Sequence, residues 1–292
     1  MTVLDVKLQY MRLADGTPIY YQRWMPDSPK AHLIFVHDIA DHVGRYAAFT
    51  GFFSGRGYGV HLFDMRGHGK SGGRRFYINS IHDFLSDLYE FIDFIKKTSA
   101  TAPLILVGYG FGGQIVLNFT VKYDKGLRAV IAISPNIRDR VGVPGWKLKL
   151  LRLVNRVNPY CMVGGNWLDP VLFTHSLNVI RDCENDPSFE KKTSIKCAFE
   201  IIANSDLMMG IAGRIHLPVF MACGGDDIIC DPEKVRKFFI RIPVYNKMLK
   251  TYPTILPDIF TGVENSQLFW DIDRWLEEQL GVESKIASSQ RR

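Results

Sequence analysis

The sequence predicts an α/β fold: a mainly parallel sheet of eight strands, helices on both faces, and one long helical insertion. Two observations carry this. Short apolar runs alternate with amphipathic runs at helical spacing along most of the chain, the signature of strands joined by crossover helices. The alternation breaks only once, between residues 136 and 215. A chain of 292 residues, 47% hydrophobic and 23% charged, can bury the core such a sheet needs without disulfide staples.

The elements follow in order. Residues 6–24 read as two strands joined at Asp15-Gly16, a strong hairpin signal. AHLIFVH (31–37) is a strand, residues 44–57 a helix ending in glycine, and GVHLFDM (59–65) a strand. Residues 83–97 carry apolar side chains at helical spacing. LILVG (104–108) is a strand that runs through a glycine-rich turn into a helix from Gly112. RAVIAIS (128–134) and LPVFMAC (217–223) are strands, 231–242 a helix, KMLKTYP (247–253) a strand and 264–280 a closing amphipathic helix. The break contains Pro144, Pro159, Pro170 and Pro187, and its helices (146–157, around 170–181, and 195–210) are predicted without strands between them. An insertion of that length after a central strand predicts a lid over a site. The organisation expected is a core of 1–135 and 216–284, a lid of 136–215 and a disordered tail of 285–292.

Composition narrows the function. The net charge of +6 is mild, and no clustered basic face with interleaved aromatics precedes residue 140, so nucleic acid is not an expected partner. The five cysteines form no C-x-x-C pair and the N-terminus has no apolar core of a signal peptide, which predicts free thiols in the cytoplasm. No run has the length of a transmembrane helix.

The turn at LVGYGFGGQI (106–115) has the strand–turn–helix layout of a nucleophile elbow, G-x-S-x-G, with Gly110 where the serine stands. Together with VHDIADHVGRY (36–46), FDMRGHGKSGGRR (63–75), GGDDIICDP (224–232) and FWDIDRWLEEQL (269–280), this stretch gives the chain its resemblance to α/β-hydrolases. More narrowly, it resembles the monoglyceride lipase and lysophospholipase branch, often called serine aminopeptidase-like. The resemblance covers nearly the whole chain. It implies a triad at Gly110 (nucleophile), Asp227 (acid) and Pro257 (base), of which only the acid is chemically competent. All eight histidines precede residue 217, so no imidazole can stand in the loop after the last strand. The oxyanion donors implied are the N–H groups of Ile39 and Phe111. Asp38 falls between His37 and Ile39, where the family has a glycine, and its carboxylate opposes a developing anion or itself accepts from those donors.

Covalent catalysis needs a nucleophilic atom beside a base, so the resemblance implies an inactive hydrolase homologue that binds a lipid-like or ester-like ligand or a protein. Two alternatives stand beside it. One is an ester hydrolase with relocated chemistry at Cys230, Ser134, His37 or His175. The other is an interaction partner of an active paralogue. The candidate ligand pocket is lined by His37, Tyr109, Gly110, Phe111, Trp146, Leu150 and Leu256, open or plugged by Phe111, Tyr109 or Leu256. Asp38 is expected at its polar end, and Leu148, Leu151, Trp167, Leu168 and Phe173 are expected to add to the apolar lid.

Other features read as structural. RGHGKSGG lacks the spacing of a phosphate loop and predicts a tight turn. His37 and His42 lack a third ligand, so neither a metal nor a cofactor is expected. On helix 146–157, Lys149, Arg152 and Arg156 share one face opposite Trp146, Leu150, Leu153, Val154 and Val157, with Lys147 interrupting the apolar arc. That stripe is expected to cover the pocket, with peripheral membrane contact as the second reading.

Overall fold

The computed structural model describes residues 9–99, 102–123, 126–137, 144–164, 169–172, 174, 176–227, 229–253, 260 and 265–289. Strands β1 (Gln9–Arg12) and β2 (Pro18–Trp24) form the expected hairpin, with Gly16 at φ 83° in the turn. Then come β3 (His32–Val36), α1 (Ala47–Gly55), β4 (Gly59–Phe63), α2 (Ile81–Ser99), β5 (Leu104–Tyr109), α3 (Phe111–Lys122) and β6 (Leu127–Ile133). The insertion holds α4 (Gly145–Val157), β7 (Met162–Gly164), α5 (Leu177–Asn185), β8 (Lys192–Ser194) and α6 (Ile195–Ile211). After it the core resumes with β9 (Val219–Gly224), α7 (Pro232–Arg241), β10 (Lys247–Tyr252) and α8 (Asn265–Ser289). The main sheet has the order β1-β2-β4-β3-β5-β6-β9-β10, antiparallel at β1-β2 and β2-β4 and parallel elsewhere.

Alternation along the parallel strands builds two cores. Ile34, Val36, Leu106, Val130 and Met221 face one side, where Phe84, Leu88, Phe91 and Ile95 of α2 meet them at helical spacing. Leu33, Phe35, Ile105, Ile131 and Phe220 face the other, packed by Phe49 and Phe53 of α1 and by Leu268, Ile272 and Trp275 of α8. Each such side chain taken from water contributes about 1.5–3 kcal/mol. α7 starts where Asp231 caps Glu233 and Pro232 fills the first helical turn.

The insertion departs from expectation in one respect. Its three helices are accompanied by β7 and β8, which pair antiparallel. Three-residue strands carry too little alternation to read from sequence. The tail also differs: α8 continues to Ser289, through 285–289, where neither glycine nor proline stops it. No helix of the described residues is long and apolar enough to cross a membrane.

Two imidazoles are sealed under the sheet. His32 Nδ1 and His61 Nε2 lie 3.0 Å apart on neighbouring strands, both residues fully buried. Desolvation is the largest cause lowering both, and it takes His61 down to about 3, with the His32 and Arg23 charges adding to it. The sign follows. The unfolded chain protonates near pH 6.5 and the folded one does not, so stability falls as pH drops below about 6.5. His61 alone should cost about 2 kcal/mol at pH 5. Urea unfolding of His61→Leu beside the parent at pH 7.5 and 5 checks this: the substitution should remove part of the acid sensitivity.

Candidate active site

The chain moves from β3 outward to β4 and then crosses back to β5, so the strand order reverses between β3 and β5. In parallel sheets the crevice at the carboxyl ends of strands at such a point is where ligands bind. There, β3 delivers His37 and Asp38, β5 delivers Gly110, β6 delivers Ser134 and β9 delivers the loop of Asp227.

Gly110 sits at φ 55°, ψ −119°, a conformation that L side chains rarely adopt, and directly precedes α3. Its N–H donates to Ile133 O (2.9 Å) and its carbonyl accepts from Gly113 N (3.0 Å), so the turn is held from both sides. Gly112 lets the helix approach β3: a Cβ there would lie 2.1 Å from Val36 O. The backbone is an elbow, and the residue at its tip carries no side chain.

The volume at that tip is taken by Asp38. A Cβ on Gly110 would lie 2.3 Å from Asp38 Cγ and Oδ2 and 2.4 Å from Oδ1. Oδ1 accepts from Ile39 N–H (2.7 Å) and Phe111 N–H (2.6 Å), the two donors assigned to the oxyanion hole. Both N–H groups that the resemblance assigns to an oxyanion hole therefore donate to the chain's own carboxylate. Desolvation pushes Asp38 up to about 7; the two N–H donors oppose that rise, and the charges of Asp41 and Asp227 add to it.

Both neighbouring histidines are engaged. His37 is fully buried, donates from Nδ1 to its neighbour Asp38 O (2.6 Å) and accepts at Nε2 from Met65 N–H (2.9 Å). Burial lowers its pKa. His42 pairs through Nε2 with Asp186 (2.6 Å) and caps Gly44 with Nδ1, tying the oxyanion loop to the insertion. Asp227 is buried, and its Oδ1 accepts from Ile229 N–H (2.9 Å) and Cys230 N–H (2.7 Å). The Cys230 thiol donates to Ser134 O (3.0 Å), and both residues are buried. His175, Leu256 and Pro257 lie outside the described residues, as do Trp167, Leu168 and Phe173.

Of the expected pocket lining, His37 and Gly110 lie at this point, whereas Phe111, Tyr109, Trp146 and Leu150 point elsewhere. Phe111 turns away from the elbow and packs in the core against Phe84, because the first turn of α3 faces α2. Tyr109 packs against Phe260 on the opposite side of the sheet. α4 rests on α6, and Leu151, Val154 and Asn155 are its less exposed positions. Trp146 (71% exposed), Leu150 (53%), Leu153 (59%) and Val157 (79%) stand in solvent instead. Four of the five apolar side chains expected to cover a pocket therefore face outward, and Val154 does not. An amphipathic pattern states that a helix has an apolar face, not what meets it.

RGHGKSGG is held as structure. Asp64 accepts from Val43 N–H (2.8 Å) and Lys70 N–H (2.7 Å), and Ser71 Oγ accepts from Tyr20 N–H (2.9 Å). Arg66 grips buried Asp87 through Nε (2.6 Å) and Nη2 and reaches Asp15 (3.0 Å). Among the described residues, no group of three or more His, Cys, Asp or Glu side chains is placed to hold a metal.

Comparison with known proteins fits this architecture. The family model for serine aminopeptidase, S33, matches residues 27–262. The monoacylglycerol lipase of Mycolicibacterium smegmatis is 25% identical over 267 residues, 91% of this chain and 95% of that one. The monoglyceride lipase of Rattus norvegicus is 26% identical over 282 residues, 94% and 92% of the two chains. An uncharacterized abhydrolase domain-containing protein of Dictyostelium discoideum is 27% identical, and this chain spans 28% of its length. The crystal structure of Paleococcus ferrophilus monoacylglycerol lipase superposes with a TM-score of 0.80 at 25% identity, covering 89% of this chain and 99% of that one. With the elbow, the eight-stranded sheet and a family match over most of its length, this chain belongs to the serine aminopeptidase S33 family of α/β-hydrolases, in its monoglyceride lipase-like branch.

Proposed function

We propose that this chain is a non-catalytic member of its branch, which binds a lipid-like ligand at the former reaction centre instead of hydrolysing it. The observation that carries this is the Asp38 carboxylate seated on both oxyanion donors, in the volume of the absent elbow side chain. An oxyanion hole accelerates acyl transfer by aiming donors at negative charge as it develops. Here those donors are already spent on a negative charge, and no serine stands between them and a base. Removing a triad alone costs about a million-fold in rate, and what survives is attributed to the hole and to binding. This chain has altered the hole as well.

The relocated-hydrolase reading finds little support in the geometry. The Cys230 thiol is engaged with a backbone carbonyl, and His37 spends both ring nitrogens on backbone groups. A fluorophosphonate probe tests the distinction: it should leave the parent unlabelled, and Gly110→Ser should stay unlabelled too, because nothing activates the hydroxyl. Labelling of the parent that disappears in Cys230→Ala or Ser134→Ala would overturn the reading.

The ligand reaches this protein, on the same proposal, at an anionic lipid surface met by α4. Trp146, Leu150, Leu153 and Val157 are exposed apolar side chains on a helix that also exposes Lys147, Lys149, Arg152 and Arg156. A basic and apolar helix lies in a membrane interface through both terms. None of the five cysteines is in a disulfide, which suits a reducing compartment such as the cytoplasm. Vesicles containing phosphatidylserine should co-sediment the parent and shift Trp146 emission to the blue, while neutral vesicles should do so weakly. Charge reversal at Lys149 and Arg152 should remove most of the binding at low salt; equal binding by both proteins would contradict the surface assignment.

A further inference from the structure

Only one oxygen of the Asp38 carboxylate is satisfied by the described residues. Oδ1 takes the two N–H donors; no described residue donates to Oδ2, and Asp38 is partly exposed. Oδ2 is also the oxygen 2.3 Å from the place where a Cβ on Gly110 would stand. An open acceptor therefore occupies the position from which a nucleophile would meet its substrate. An ionised carboxylate accepts and cannot donate.

The surrounding groups reinforce that polarity. Asp41 and Asp227 both add negative potential at Asp38. His37, the neighbouring imidazole, spends both nitrogens on the backbone, and burial lowers its pKa. Arg45 lies 3.5 Å from Asp41, so its charge is matched there. An arriving head group finds a negatively charged acceptor where hydrolases of this fold present two N–H donors.

We propose that Asp38 sets the head-group specificity of this site: it accepts a lipid whose head donates hydrogen bonds, a hydroxyl or an ammonium, and rejects a free carboxylate. The inference rests on the lipid-binding reading above and adds the class of ligand. A fatty acid meets like charge and leaves Oδ2 without a donor. A fatty alcohol, the glycerol hydroxyls of a monoglyceride or a long-chain amine supplies the missing donor. A site built to hydrogen-bond one head rejects an analogue that cannot, through the buried polar group left unpaired.

The test compares three probes of one chain length, dodecanol, dodecylamine and laurate, each below its aggregation limit. They are titrated calorimetrically at pH about 8.5, where Asp38 is ionised. The parent should bind dodecanol or dodecylamine at least about tenfold tighter than laurate. The tighter of the two identifies the donor. Asp38→Asn keeps an oxygen for the two N–H groups and removes the charge, and Asp38→Gly clears the hole. Both should bring laurate to within a few-fold of the alcohol, and circular dichroism checks that each variant is folded. Laurate binding the parent as tightly as dodecanol would overturn the inference, as would a preference unchanged in both variants. If the parent binds none of the probes while Asp38→Gly binds laurate, the lipid-ligand reading fails and the excluding role of Asp38 stands. If no probe binds any of the three proteins, both readings fall.

Discussion

Gly110→Ser is expected to destabilise this protein by about 2–6 kcal/mol. Two costs add. A side chain at φ 55°, ψ −119° carries backbone strain of about 1–3 kcal/mol. The new Cβ would also stand 2.3–2.4 Å from all three carboxylate atoms of Asp38, and forcing atoms into filled space costs about 1–3 kcal/mol more. Relief requires Asp38 to leave the hole and abandon its bonds to Ile39 and Phe111. The two positions are therefore coupled. Gly110→Ser should cost markedly less in an Asp38→Gly background, with a coupling of about 1–3 kcal/mol in a urea double-mutant cycle. Additive single effects would mean that Asp38 does not occupy the elbow volume. On the proposed function, the double variant should also remain without esterase activity.

Arg66→Ala is the second large effect. Asp87 is buried on α2, and burial is the main cause lifting its carboxyl to about 6 even with the Arg66 guanidinium on both oxygens. Removing the cation strands a buried carboxylate, a loss of about 3–5 kcal/mol. The same arginine links Asp15 in the first hairpin to α2 through the turn after β4, so the damage reaches three segments. Adding Asp87→Asn to the Arg66→Ala variant should recover part of the stability, since the group left behind then carries no charge. Urea midpoints at pH 7.5 decide it. An Arg66→Ala variant as stable as its parent would show that RGHGKSGG is not a structural turn.

The core was legible because its signals are local. Leu104 to Val107 is a short apolar run, Gly108 to Gly113 cannot continue it, and α3 follows with helical periodicity; the same logic finds β3, β4, β6 and β9. The turn at Gly110 was legible residue by residue, because a strand, a run of glycines and a helical period follow one another there. Asp38 was legible as a charge beside the oxyanion donors, but not as the group that fills the elbow volume. That depends on β3 and β5 ending side by side, with Val36 paired to Gly108. The directions of side chains were not legible. Phe111 is adjacent to the nucleophile position in sequence, yet it turns into the core against Phe84. Trp146 and Leu150 have the spacing of a buried stripe, but they stand exposed, and Leu151, Val154 and Asn155 are the less exposed positions of α4. The pair β7-β8 joins segments far apart in the sequence through three residues each, and nothing local announces such a pairing.

The central claim is that the reaction centre is occupied by the chain's own carboxylate and performs no acyl transfer. Hydrolysis of a monoacylglycerol by purified protein tests it most directly, with glycerol release followed beside Asp38→Gly and Gly110→Ser. No turnover above the buffer rate is predicted for the parent or for either variant. Parent turnover above about 1 s⁻¹, the lower end of ordinary enzyme rates, that is abolished by a single substitution at Asp38, Ser134 or Cys230 would contradict the account.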